Sequence, residues 1–412
     1  MEGVMRPACR AARRCGCGWL AMGIAGLALA AEPASNTLYR QWPRGPSADP
    51  AFIPIAVWLQ PPRHAEAYRR AGINTYVGLW RGPTESQLGD LKRAGMRVIC
   101  EFNETARRHL EDGTIIGWMH GDEPDNAQSL GEGKGYGPPI PPSAVVADYQ
   151  RIRAADPTRP VLLNLGQGVA WDDWHGRGTR TRHPEDYPEY IQGADIVSFD
   201  IYPVVHDRPA VRGQLGFVAR GVERLIGWTG GRKPVWNCIE CTRISNPTAK
   251  PTPAQVRSEV WMSLIHGSRG LIYFVHEWQP RFDESALLHD PEMLAAVTAI
   301  NRQVHELAPV LNAPPPRHTF QVVPDPADVP VAIMGRVHEG AAYVFAVAMR
   351  DRLVRARFSV GPVAEGVAEV LGESRTVPVS GGSFTDAFEP WAAHLYRVAL
   401  SPTQPSPSSN PP

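Results

Sequence analysis

Between residues 52 and 312, short apolar runs alternate with segments whose apolar residues recur every three to four positions. The first run, FIPIAVWLQ (52–60), is followed by a helical stretch over 63–71 that stops at Gly72. INTYVGLW (73–80) precedes a helix from Thr84, with Glu85 in its first turn, to Gly95. MRVICEFN (96–103) and TIIGWMHGDEP (114–124) follow, then a Gly- and Pro-rich loop over 129–142 and a helix over 143–155. VLLNLGQG (161–168), DIVSFDIYPV (195–204), KPVWNCIECT (233–242) and LIYFVHEW (271–278) complete the apolar runs. Helices are expected over 215–228, from Thr252 with Pro253 at its first position to His266, and over 291–311. Strands alternating with helices predict a parallel sheet with crossover helices, and eight such units in this length predict a (β/α)8 TIM barrel over 51–312. A doubly wound sheet would carry a Gly-rich phosphate turn after its first strand, where this chain reads LQPPRH.

The period changes after Ala313-Pro314-Pro315-Pro316. VAIMGRV, AAYVFAVAM and HLYRVAL have strand composition with turn residues between them, which predicts a small antiparallel β-sandwich over 317–400, separately packed and covering apolar barrel surface. The tail SPTQPSPSSNPP (401–412) has too little apolar content to bury a core and is expected to be disordered. Residues 31–50 read as an N-terminal extension.

Composition sharpens the picture at the N-terminus. Arg6, Arg10, Arg13 and Arg14 precede an apolar stretch of small residues from Gly18 to Ala30, and Ala28-Leu29-Ala30 has the form of a cleavage site. Residues 1–30 are therefore expected to be a secretory signal, placing the protein outside the cell or in a periplasm, with no stable membrane insertion after cleavage. The whole chain has 42 basic and 42 acidic residues; without the leader it is slightly acidic. It has no basic run interleaved with aromatics, which argues against a nucleic-acid partner. Cys100, Cys238 and Cys241 remain after the leader; an odd number gives no disulfide framework, and the lone C-x-x-C reads as buried thiols. The sequence leaves oligomeric state open.

Barrel chemistry sits at the carboxyl ends of the strands. Polar and aromatic residues collect at those ends: Trp58, Gln60, Trp80, Glu101, Asn103, Asp122, Glu123, Asn164, Gln167, Asp200, Tyr202, Glu240, His276, Glu277 and Trp278. Cleaving a glycosidic bond needs one carboxylic acid to protonate the leaving oxygen and a second carboxylate to stabilise or attack the anomeric carbon. Glu123 closes the fourth run and Glu240 the seventh, on opposing sides of the barrel. Trp58, Trp80 and Trp278 offer aromatic faces for sugar rings. Glu277 is the rival to Glu240.

Asp122-Glu123-Pro124 after strand four, with Glu240 ending strand seven, resembles the clan A retaining glycoside hydrolases, which carry an acid/base glutamate and a nucleophilic glutamate there. Asp122 stands where the clan usually has Asn. Ser198-Phe199-Asp200-Ile201-Tyr202-Pro203 is similar to the clan's strand-six segment, and the stretch from Ile265 to Phe274 is similar to family 42-like enzymes. The resemblance implies a retaining O-glycosidase without a cofactor. Glu123 would be acid/base and Glu240 nucleophile. Trp58, Trp80, Glu101, Asn103, Asp122, Asn164, Asp200, Tyr202, His276, Glu277 and Trp278 would bind a carbohydrate substrate. The alternatives are a non-catalytic carbohydrate-binding barrel, which would lack the carboxylate pair, and a metal-dependent barrel hydrolase, which would need His and Asp ligands at several strand ends.

Overall fold

A computed structural model describes residues 35–361 and 365–400. The expected signal and tail lie outside the described residues. Eight parallel strands form the barrel: β1 (Ile55–Trp58), β2 (Thr75–Val77), β3 (Arg97–Glu101), β4 (Ile115–Met119), β5 (Val161–Leu165), β6 (Ile196–Phe199), β7 (Trp236–Glu240) and β8 (Gly270–Phe274). Their order is β6-β5-β4-β3-β2-β1-β8-β7, and a parallel bridge between Val197 and Val235 closes the ring. The crossovers are α1 (Ala65–Arg70), α2 (Glu85–Ala94), α3 (Glu104–Arg108), α4 (Pro142–Ala155), α5 (Tyr187–Tyr190), α6 (Gly216–Thr229), α7 (Pro253–Ile265) and α8 (Pro291–Glu306).

Local chemistry explains the helix ends that the sequence marks. Thr84 and Thr252 each form a capping box with the Gln three residues on, satisfying orphan N–H groups of α2 and α7. Gly95 ends α2 in the left-handed conformation, at φ +67°. Strand alternation sorts the side chains: Ala56, Ile99, Leu162, Ile196, Trp236 and Ile272 fill the barrel, while Val57, Val98, Leu163 and Val197 face the helices.

The N-terminal extension is part of the barrel. Tyr39 and Trp42 are buried in the interior cluster. The Trp236 indole donates to the Tyr39 hydroxyl at 2.8 Å, and that hydroxyl donates to the Arg269 carbonyl at 3.1 Å. These two aromatics pack with Trp236, near the amino ends of β7 and β8.

The C-terminal region is antiparallel as expected, with one difference in form. β9 (Gln321–Asp325), β10 (Val331–His338), β11 (Ala341–Ala348), β12 (Val354–Ser359), β13 (Glu365–Val370), β14 (Arg375–Ser380), β15 (Ser383–Phe388) and β16 (Ala393–Ala399) make one eight-stranded sheet curled around its own core, where a two-sheet sandwich was expected. It keeps a core of its own and also covers apolar barrel surface. Phe345, Val347, Trp391 and Leu395 belong to the same apolar cluster as the barrel's helix layer. Trp261 of α7 is fully buried and stacks on Phe345, with centroids 5.6 Å apart and planes 13° from parallel. Trp261→Ala is therefore expected to cost about 3–5 kcal/mol. Barrel and β-domain should still unfold in one transition, followed by tryptophan fluorescence and far-UV circular dichroism in urea. Two separated transitions would show that the shared core does not couple them.

Candidate active site

Beyond β4 the chain turns sharply through Asp122-Glu123-Pro124-Asp125-Asn126. Glu123 holds a left-handed backbone, φ +43°, which costs a non-glycine residue energy and persists only where the surroundings enforce it. Here they do. The Glu123 amide donates to the Asn164 carbonyl at 3.2 Å, and the Asn126 amide closes the turn on the Glu123 carbonyl at 3.0 Å. Buried Asp125 accepts from the Gly166 amide and the Tyr187 hydroxyl, both at 2.9 Å. Arg177 lies 3.9 Å from Asp125 and is itself tied to Asp186 at 2.7 Å. Position 166 must stay bare, because a Cβ there would come within 2.9 Å of Glu123 Oε1.

This turn assembles three carboxyl groups. Glu123 Oε2 accepts from Asn126 Nδ2 at 2.7 Å. The Glu123 carboxyl stands beside that of Asp200, just beyond β6. Two neighbouring carboxyls drawn away from water resist ionising together. Burial at the base of the mouth holds Glu123 well above the usual carboxylate range, and the negative charges of Asp200 and Asp122 push the same way. Asp200 is raised to about 7, chiefly by burial. Asp122 opens onto solvent yet is ringed by protein, and this raises it to about 6 against the stabilising N–H of Asn164, 2.9 Å away. Asn164 is oriented in turn by Ser198, whose hydroxyl donates to its oxygen at 2.7 Å. Burial and the neighbouring charges thus favour the protonated form of Glu123, while Asp122 is raised less, to about 6.

Two cavities adjoin this cluster. One, about 450 Å³, is lined by Trp58, Leu59, Glu101, Met119, Asp122 and Arg151, among others. The other, about 560 Å³, is lined by Gln167, Trp174, His175, Tyr202, His206 and Asn246, among others. Asp122 lines the first and Tyr202, close to Asp200, lines the second, so the carboxyl groups stand between them. At the end of β8, Phe274, Trp278 and Phe282 form an aromatic ladder, with centroids 5.7 and 6.1 Å apart. Tyr202 packs on Phe274 at 5.2 Å. Trp278 and Phe282 are 43% and 61% exposed, an apolar surface of the kind on which sugar rings stack.

The structure thus brings together Asp122, Glu123, Asn164, Asp200 and Tyr202, with Trp58 and Glu101 on one side. It does not bring Glu240 to them. Strand alternation puts Glu240 on the inner side of β7, but the loop after β6 closes over it. Its side chain is 0% exposed, and its two oxygens accept from the Val204 and Val205 amides at 2.6 and 3.0 Å. The buried carboxyl of Glu259 on α7 stands beside it, where burial and the charge of Glu240 raise the resistance of Glu259 to ionising. In this arrangement the carboxylate expected as the nucleophile facing Glu123 is covered by the loop after β6.

The other expected site residues have protein partners. Asn103 is the N-cap of α3, accepting from the Ala106 amide at 2.9 Å and donating to the Pro83 carbonyl at 2.9 Å. His276 is buried beneath Trp278 and lies 3.3 Å from Gln60; burial keeps its imidazole neutral. Glu277 accepts from the Arg243 amide at 3.3 Å, with the Arg243 guanidinium 3.8 Å away. Trp80 stands on the rim, 62% exposed, with only the Arg81 guanidinium over its ring. Cys100, Cys238 and Cys241 are buried free thiols, as their setting in apolar runs implies. Asn126 and Gly166 are the residues that sequence reasoning missed. Asn126 had a legible signal, an amide three residues after Glu123 in a turn. Gly166 acts through a contact between distant loops.

No family model matches this chain, and the search of curated proteins found no relative. Solved structures do match in fold. An Anoxybacillus α-amylase aligns with a TM-score of 0.51 at 11% identity, covering 86% of this chain and 99% of that one. The GH42 β-galactosidase Gan42B aligns with a TM-score of 0.51 at 8% identity, over 85% and 98%. AmyP in complex with maltose gives 0.50 at 9% identity, over 90% and 99%. At these identities the likeness establishes the architecture, a (β/α)8 barrel carrying a C-terminal β-domain.

Proposed function

We propose that this chain is a glycoside hydrolase that acts on a carbohydrate at the carboxyl face of its barrel. The observation that carries the reading is the group of three carboxyls, Asp122, Glu123 and Asp200, gathered beside two cavities at the carboxyl face. Burial and its acidic neighbours hold Glu123 well above the usual carboxylate range, the direction that a general acid for glycoside cleavage requires. Glu123 is the proton donor to the leaving oxygen. Asp200 is its carboxyl neighbour and helps to hold its proton on. Asp122, open to the cleft and oriented by Asn164, is the carboxylate that meets positive charge at the anomeric carbon. Trp58 and the ladder through Trp278 are the sugar-stacking faces. A double displacement through Glu240 would first require that side chain to leave the Val204 and Val205 amides.

The test is a panel of aryl glycosides and polysaccharides, with product anomer read by NMR. Cleavage of at least one member is expected, and retention or inversion then assigns Asp122 as nucleophile or as base toward water. The rate should rise as pH passes about 6, where Asp122 ionises, and should fall again only above the usual carboxylate range, because burial and its acidic neighbours hold Glu123 up. The three carboxyls titrate together, so the limb belongs to the set rather than to one residue. Neither cleavage nor carbohydrate binding across the panel would end this reading.

A further inference from the structure

Trp174, on the long loop after β5, does two things at once. Its indole is a wall of the 560 Å³ cavity, and its Nε1–H donates to Asn126 Oδ1 at 2.9 Å. A side-chain amide has one oxygen and one NH2. With its oxygen engaged by the indole, Asn126 presents Nδ2 to Glu123 and donates to Oε2 at 2.7 Å. The flipped amide would set NH2 against the indole N–H and lose that bond. Accepting from Asn126 makes Oε2 the less basic oxygen, which favours the acid proton on Oε1.

The indole is itself wedged in place. A Cβ at Gly176 would come within 2.4 Å of its ring, so only glycine leaves it room, and the His175 ring packs against it at 4.7 Å. We propose that Trp174 and Asn126 are positioning residues that fix the acid proton of Glu123 on Oε1, so that a sugar seated in the cavity touches the residue that aims the acid. The assignment of the proton to catalysis rests on the glycosidase reading above. The relay itself rests on the geometry.

Trp174→Phe keeps the aromatic wall and removes the N–H. For a substrate with a poor leaving group, kcat should fall roughly tenfold, part of the roughly 10²–10⁴-fold that a general acid contributes. KM and the thermal midpoint should hold, and a substrate with an activated leaving group should be spared. Isotope-edited infrared titration of the Glu123 carboxyl, assigned by its absence in Glu123→Gln, should show ionisation moving to higher pH, because the donor that favoured the ionised form is no longer held in place. Asn126→Ala should move the same band in the same direction and further. An unmoved infrared titration in both variants would overturn the relay, as would a rise in KM alone in Trp174→Phe, which would leave the indole only a wall. The infrared arm needs no substrate, so it decides the relay even if no glycoside is cleaved and the functional reading fails.

Discussion

Glu123→Gln is expected to lower kcat for unactivated glycosides by about 10²–10⁴-fold, the range that a positioned general acid supplies. The substitution keeps the shape of the side chain and removes the transferable proton. The new amide can offer Asp200 an N–H. The fold should therefore survive, with a thermal midpoint near that of the parent. The loss should depend on the leaving group: an aryl glycoside whose phenolate departs unaided needs little protonation and should retain much of its rate. The alkaline limb of the pH profile should also disappear, since the group whose deprotonation causes it is gone. Equal losses for good and poor leaving groups, with stability intact, would remove Glu123 from the acid role.

The second large effect concerns stability. Glu240→Ala strips the partner from two buried backbone N–H groups, those of Val204 and Val205. Orphaning buried donors costs about 1–3 kcal/mol each, so a loss on the order of 2–6 kcal/mol is expected in urea unfolding. Any fall in activity should track the unfolded fraction, and azide should not rescue it. Recovery of turnover as a glycosyl azide of inverted configuration would instead restore Glu240 as nucleophile.

Glu259→Gln separates burial from charge at the same place. Burial raises Glu259 well above its ordinary value and Glu240 to about 7, so the folded state binds more protons here than the unfolded chain. The stabilisation is fully present below the unfolded carboxylate range, near 4.5, and is lost as pH rises through 7 and beyond. The parent should lose stability between pH 5 and 8, by up to about 1.4 kcal/mol per pH unit for each proton released. The amide of Glu259→Gln offers Glu240 a donor with no charge to desolvate. Its stability curve should be flatter over that interval and cross above the parent at the alkaline end. Parallel curves would show that the pair does not titrate as a unit.

The barrel was legible because its signal is local and repeated. Eight apolar runs with helical periods between them, stopped by Gly72, Gly95 and Gly267 and started at Thr84 and Thr252, depend on each residue's own propensity and its near neighbours. The carboxyl-end rule then found Glu123, Asp122, Asn164, Asp200 and Tyr202, since strand order alone decides which end of each strand faces the mouth. Tertiary structure decided the rest. Whether Glu240 enters the mouth depends on two amides 35 and 36 residues earlier, in a loop whose path no periodicity reports. Glu123 stands beside Asp200 because the turn held by Asp125, Gly166 and Tyr187 carries it toward the end of β6. Tyr39 and Trp42 lie in a stretch without helical or strand period, and only the barrel's open amino end gives them a place to be buried. Local pattern specifies elements and their polarity; the direction of a side chain at a strand end is set by contacts across the sequence, and those exist only once the chain has closed.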